Sequence, residues 1–153
     1  MKNVRRRNKG FTLVEILVVM AIVSIISSII FLEIKSYKSF KNDLDVDYVN
    51  DEIVSLINGA RHNCILNECH GELMFYLNTN TIKFYESSAL KDEFVMPLGF
   101  TITGNNVTTS DNQIYIENTG VINTPCSLQY RDRKGIFHLI TIGVGTANVE
   151  IKN

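Results

Sequence analysis

The sequence predicts an α+β protein in which a long N-terminal helix packs on a C-terminal antiparallel β-sheet region. The first half of that helix is transmembrane and the second half amphipathic. Three observations carry this. Phe11–Leu32 is apolar except for Thr12, Glu15, Ser24, Ser27 and Ser28. Beyond it, apolar residues recur at three- to five-residue steps as far as Cys64, with no proline before Pro97, which marks one helix face. From Glu72 onward the apolar period becomes two, in short runs separated by turn residues, as in half-buried strands.

Bulk composition hides this organisation. At 153 residues, 45% apolar and 20% charged, the chain resembles one ordinary soluble domain. Two prolines and nine glycines exclude collagen-like and linker-like classes. The formal charge of −1 points to neither a nucleic-acid nor a membrane partner, but it is a sum of unlike parts. Residues 1–10 hold Lys2, Arg5, Arg6, Arg7 and Lys9 and no acid; the remainder holds 10 Lys+Arg against 16 Asp+Glu, a formal −6. The predicted organisation is a basic leader (1–10), a hydrophobic transmembrane helix (11–32), an amphipathic helix (33–69) and a β-rich domain (70–153).

Twenty-two helical residues from Phe11 span roughly 33 Å, about one bilayer core. A buried core helix is a poor alternative, because Ile16–Leu32 carries no charge. A secretory signal would be shorter and end in a small-x-small site, for which Ser24–Ser28 is a poor match. The basic leader places the N-terminus in the cytoplasm and everything beyond about Glu33 outside. Glu15 is the anomaly. An unpaired carboxylate in lipid costs a few kcal/mol, and no basic residue lies in the apolar stretch to pair with it.

The run Arg6-Arg7-Asn8-Lys9-Gly10-Phe11-Thr12-Leu13-Val14-Glu15 resembles the class III signal of type IV prepilins, a basic leader ending in Gly before Phe-Thr-Leu-(Val/Ile)-Glu. The resemblance implies cleavage between Gly10 and Phe11 by prepilin peptidase and N-methylation of Phe11. Assembly would run through the inner-membrane platform into a filament with other pilin subunits. Glu15 of one subunit would pair with the new α-amine of a neighbour and set axial register, neutralising two charges that are each costly alone. The chain departs from the family in one respect: the helix-breaking Gly and Pro of many pilins are replaced by Ser24 and Leu32.

The amphipathic face comprises Ile34, Tyr37, Phe40, Leu44, Val49, Ile53, Leu56, Ile57, Ala60 and Cys64. A continuous helix from Phe11 to Leu66 would be roughly 84 Å long, with Gly59 a weak point of about 1 kcal/mol. Asp43, Asp47 and Asp51 share a face at i, i+4 spacing. They read as a solvated surface, since no His or Gly-turn accompanies them to make a calcium or acid–base site.

In the C-terminal part, Leu73–Leu77 and Ile82–Glu86 flank an Asn-rich turn and predict a hairpin. Further strands are expected at Phe100–Thr103, Gln113–Glu117, Cys126–Arg131, Ile136–Ile142 and Ala147–Ile151. Ala60-Arg61 within Leu56–Cys64, and the run from Leu128 to Gly145, resemble GspH/FimT-type pseudopilins and minor pilins and the related competence pseudopilins of Gram-positive bacteria. DNA-binding members of that group have a basic tail after the Gly, whereas Gly145–Ile151 contains no arginine. Arg131, Arg133 and Lys134 form the other cation cluster. On a −6 body they would support only weak, salt-sensitive DNA binding, and a solubilising hairpin tip is the simpler reading.

Cys64, Cys69 and Cys126 outside the cytoplasm suggest one disulfide and one free thiol. Sequence leaves three pairings open; Cys69–Cys126, which would staple the helix-to-sheet junction to the late strands, is favoured. His62-x-Cys64-x4-Cys69-His70 could ligate zinc but matches no standard finger, so no metal or other cofactor is expected. With no P-loop, dinucleotide turn or nucleophile elbow, the chain reads as a non-enzyme. The alternative to a filament subunit is a singly anchored extracellular binding protein whose leader is never cut.

Overall fold

The computed structural model describes residues 11–105, 112–123, 125–143 and 149–152, in two compact units, Met1–Phe40 and Lys41–Asn153. The leader with Gly10 lies outside the described residues. So do residues 106–111, 124 and 144–148, which include the first two residues of the strand expected at Ala147–Ile151.

One helix, α1 (Leu13–Leu66), forms as the unbroken pattern predicts. In the first unit no described side chain from Phe11 to Phe40 is buried. In the second unit α1 buries Val46, Val49, Ile53, Leu56, Ile57, Ala60 and Cys64. The face predicted from Ile34 therefore needs correcting. Ile34, Tyr37, Phe40 and Leu44 are 45–65% exposed, and among the described side chains the first buried one is Asn42. Residues 42, 46, 49, 53, 57, 60 and 64 keep the helical period; Leu44, about 200° round the axis from Val46, falls on the opposite side.

The β region has eight strands in two antiparallel sheets. The first sheet contains β1 (Gly71–Tyr76), β2 (Thr81–Glu86), β3 (Ala89–Val95) and β5 (Gln113–Ile116), in the order β3-β2-β1-β5. The second contains β4 (Thr101–Asn105), β6 (Cys126–Arg131), β7 (Phe137–Ile142) and β8 (Val149–Lys152), in the order β4-β6-β7-β8. The Asn-rich hairpin forms as expected, with Tyr76 opposite Thr81. Strand β3 was not foreseen. Its turn residues Ser87 and Ser88 both have positive φ, 47° and 71°, the backbone of a type I′ hairpin without the usual Asn-Gly signature.

Both sheets and α1 share one core, filled by Leu73, Phe84, Ile114, Leu128, Tyr130 and Ile140 among others. Asn80 ties the sheets together: its side-chain oxygen accepts from the Ile102 N–H at 2.9 Å. Gly71 is required where α1 meets β1. A Cβ there would lie 2.6 Å from both Cys64 Sγ and the Phe84 ring.

Candidate functional site

Phe11 is 80% exposed, and Thr12 caps α1. The Glu15 N–H donates to Thr12 Oγ1 at 3.3 Å, and the Thr12 N–H donates back to the Glu15 carboxylate at 3.3 Å. This reciprocal pair is a capping box, which satisfies two of the helix's orphan donors. The acidic group also lies at the positive end of the helix dipole. The sequence reading singled out Glu15 for its charge and missed this partner. The Thr-x-x-Glu spacing ahead of an apolar run was the available signal.

The three serines in the apolar stretch are compatible with lipid. Ser24, Ser27 and Ser28 donate to the carbonyls of Met20, Val23 and Ile25 at 2.7–2.8 Å, so each hydroxyl is satisfied within the helix. This segment is long and apolar enough to cross a membrane. Its continuous apolar surface exceeds what a water-exposed monomer tolerates.

The second unit contains a buried polar cluster joining α1 to the β6–β7 hairpin. Asn42 Nδ2 donates to Asp132 Oδ2 at 2.8 Å and Asn42 Oδ1 accepts from the Arg133 N–H at 3.2 Å. Asp132 Oδ1 accepts from the Ile136 N–H at 2.8 Å, and His138 Nε2 lies 3.4 Å from Asp132 Oδ2. Tyr130 donates to Asn50 Oδ1 at 2.8 Å and stacks on His138 with centroids 5.0 Å apart. Burial alone would raise the Asp132 carboxyl, but the hydrogen bonds from Asn42, the Ile136 N–H, His138 and the Lys134 N–H outweigh it and hold it below the usual aspartate range. Burial raises the Tyr130 hydroxyl, with Asp132 and Asp47 adding to it. The signal for this cluster was two asparagines, Asn42 and Asn50, on an otherwise apolar face.

The cation cluster is not free. Arg133 pairs with Asp45, donates to the Leu98 carbonyl at 2.7 Å, and lies over the Phe100 ring at 5.0 Å. Lys134 pairs with Asp43 at 2.6 Å. Asp43, read as a solvated helix charge, and Asp45 therefore clamp the hairpin tip to α1. Only Arg131 of the three cations has no acidic partner among the described residues. Arg61 has a structural role: its Nε donates to the Gly120 carbonyl at 2.7 Å, holding a turn where Gly120 has φ 74°.

All three cysteines are free thiols. Of the three cysteines it is Cys64 that acts on Cys69, and no thiol acts on Cys126. Burial pushes the Cys126 thiol up to about 12. His62 is exposed whereas Cys64 is buried, so the sequence-adjacent zinc pattern is split. Among the described residues no group of three or more His, Cys, Asp and Glu is placed to hold a metal. An open depression of about 410 Å³ at the β1–β2 turn is lined by Met74–Thr79 and Asn112, with no carboxylate, imidazole or thiol.

Residues 5–31 match the prokaryotic N-terminal methylation motif. No curated protein matches the sequence. Two structures of the minor pseudopilin EpsH from the type 2 secretion system of Vibrio cholerae are similar to this chain. One has a TM-score of 0.56 at 9% identity over 69% of this chain and 94% of that one. The other has a TM-score of 0.57 at 7% identity over 72% and 97%. The type IV minor pilin FimU of Pseudomonas aeruginosa gives 0.56 at 8% identity over 74% and 92%. The chain therefore carries a methylation motif ahead of a fold shared with a minor pseudopilin and a minor pilin.

Proposed function

We propose that the chain is a structural subunit, of minor-pilin or pseudopilin type, in a type IV pilus, type II secretion or DNA-uptake filament. The observation that carries this is a methylation motif running directly into an apolar helical stretch whose side chains from Leu13 to Ile30 are all exposed. Such a surface needs lipid before assembly and neighbouring helices after it. In this reading prepilin peptidase cuts between Gly10 and Phe11 and Phe11 is N-methylated. The subunit is then stored in the cytoplasmic membrane with its N-terminus inside, and is drawn into the filament by the assembly platform. The β-rich unit faces outward and contacts neighbouring subunits. DNA is a weak candidate partner, because Arg133 and Lys134 are already paired with Asp45 and Asp43.

Intact mass and N-terminal sequencing of the protein from cells with active prepilin peptidase test the reading. The expected chain starts at N-methylated Phe11. A chain that keeps residues 1–10 would instead indicate a singly anchored extracellular binding protein.

A further inference from the structure

The end of α1 places two thiols side by side. The Cys69 N–H donates to the Cys64 carbonyl at 3.1 Å, and the Glu68 N–H to the Ile65 carbonyl at 3.4 Å. Glu68 is left-handed at φ 50°. This is the Schellman C-cap, in which the third-last helical residue and the second residue beyond the cap bring their side chains together. Here those positions are Cys64 and Cys69. Cys64 is fully buried with its Sγ over the Gly71 backbone, and Cys69 packs half-buried against the same core. The Cys64 and Cys69 thiols act on each other electrostatically, and Glu86 acts on both. Cys126 lies in β6 opposite Ile142, with no thiol among the groups that act on it.

We propose that Cys64 and Cys69 form an intramolecular disulfide that locks the end of α1 to the start of β1, leaving Cys126 a free buried thiol. A disulfide needs α-carbons about 4.4–6.8 Å apart and Cβ atoms facing one another. The direct backbone hydrogen bond supports the first requirement, and the cap geometry, which sets these two side chains against each other, the second. The oxidant is a low-molecular-weight disulfide. The more accessible Cys69 attacks it as thiolate, expels one small thiolate and forms a mixed disulfide. Cys64 then attacks the Cys69 sulfur and expels the second. Two protein thiols lose two protons and two electrons, and the small disulfide becomes two thiols.

Burial pushes the Cys64 thiol up to about 11, with Cys69 and Glu86 adding to it. Burial and Glu86 push Cys69 the same way. With neither thiolate stabilised, the bond resists reduction and is structural rather than reactive. The inference is independent of whether the leader is removed.

The test equilibrates the full-length protein in detergent with a mixture of oxidised and reduced glutathione, quenches with acid, denatures, and alkylates with iodoacetamide. One carbamidomethyl group is expected, on Cys126, rising to three after reduction, with peptide mapping linking Cys64 to Cys69. The Cys126→Ser variant keeps the link and takes no label before reduction. Reduction lowers Tm by roughly 5 °C, the size expected for a short cross-linked loop. Three groups before reduction, glutathione adducts in place of the link, or a link that includes Cys126 would overturn the proposal.

Discussion

Glu15 has two possible jobs, and they can be separated. Within one chain it closes a capping box with Thr12; in the proposed filament its charge pairs with a neighbour's α-amine. Glutamine also serves at the N3 position of a capping box but carries no charge, whereas valine can do neither. If charge pairing sets register, Glu15→Gln and Glu15→Val both insert into the membrane. Both then lose at least roughly tenfold in assembled subunit, since an unpaired charge in lipid costs more than the 1.4 kcal/mol that a factor of ten represents. Immunoblots of sheared filaments against membranes measure this. Wild-type assembly of Glu15→Gln with failure of Glu15→Val would reassign the residue to capping alone. The charge of Glu15 was legible in the sequence because it interrupts an apolar run. Its hydrogen bonds to Thr12 were legible only as a spacing.

At the scale of elements, both ends of α1 are set by local chemistry, and the C-terminal end is suboptimal. Glu68 occupies the left-handed cap position that glycine usually takes. Left-handed geometry costs an L-residue roughly 1–2 kcal/mol, while glycine adds about 0.4–1 kcal/mol of unfolded-chain entropy. Glu68→Gly should therefore stabilise the protein by roughly 0.5–1 kcal/mol, raising Tm by about 2–4 °C. Thermal melts under reducing conditions check this without interference from a disulfide, and an unchanged or lower Tm would remove the strain argument. Strand legibility followed burial. The strands β1, β6 and β7 alternate buried and exposed and were foreseen. By contrast β3 is exposed at every position but Phe94, so Ala89–Val95 has no apolar period to detect. Its hairpin also turns on two serines.

For the molecule as a whole, the polar cluster makes folding sensitive to acid. The carboxyl of Asp132 is held below its ordinary value of about 3.9. Between the folded value and 3.9 the unfolded chain binds more protons, so stability rises with pH there. The contribution is complete above about pH 5 and disappears as the pH falls through the folded value. Urea midpoints from pH 3 to 7 should fall more steeply on the acid side for wild type than for Asp132→Asn, and parallel profiles would discard this role. The sequence by itself determined the leader, the apolar helix, the switch to a two-residue period and the methylation motif, because each depends on near neighbours along the chain. Tertiary structure alone decided that Asn42 and Asn50 face Asp132 and Tyr130, and that Asp43 and Asp45 hold the hairpin cations. It also set burial on α1 to begin at Asn42 rather than at Ile34. These pairings join residues 80 to 91 positions apart. Their partners are fixed by how two sheets close over one helix, which no local pattern encodes.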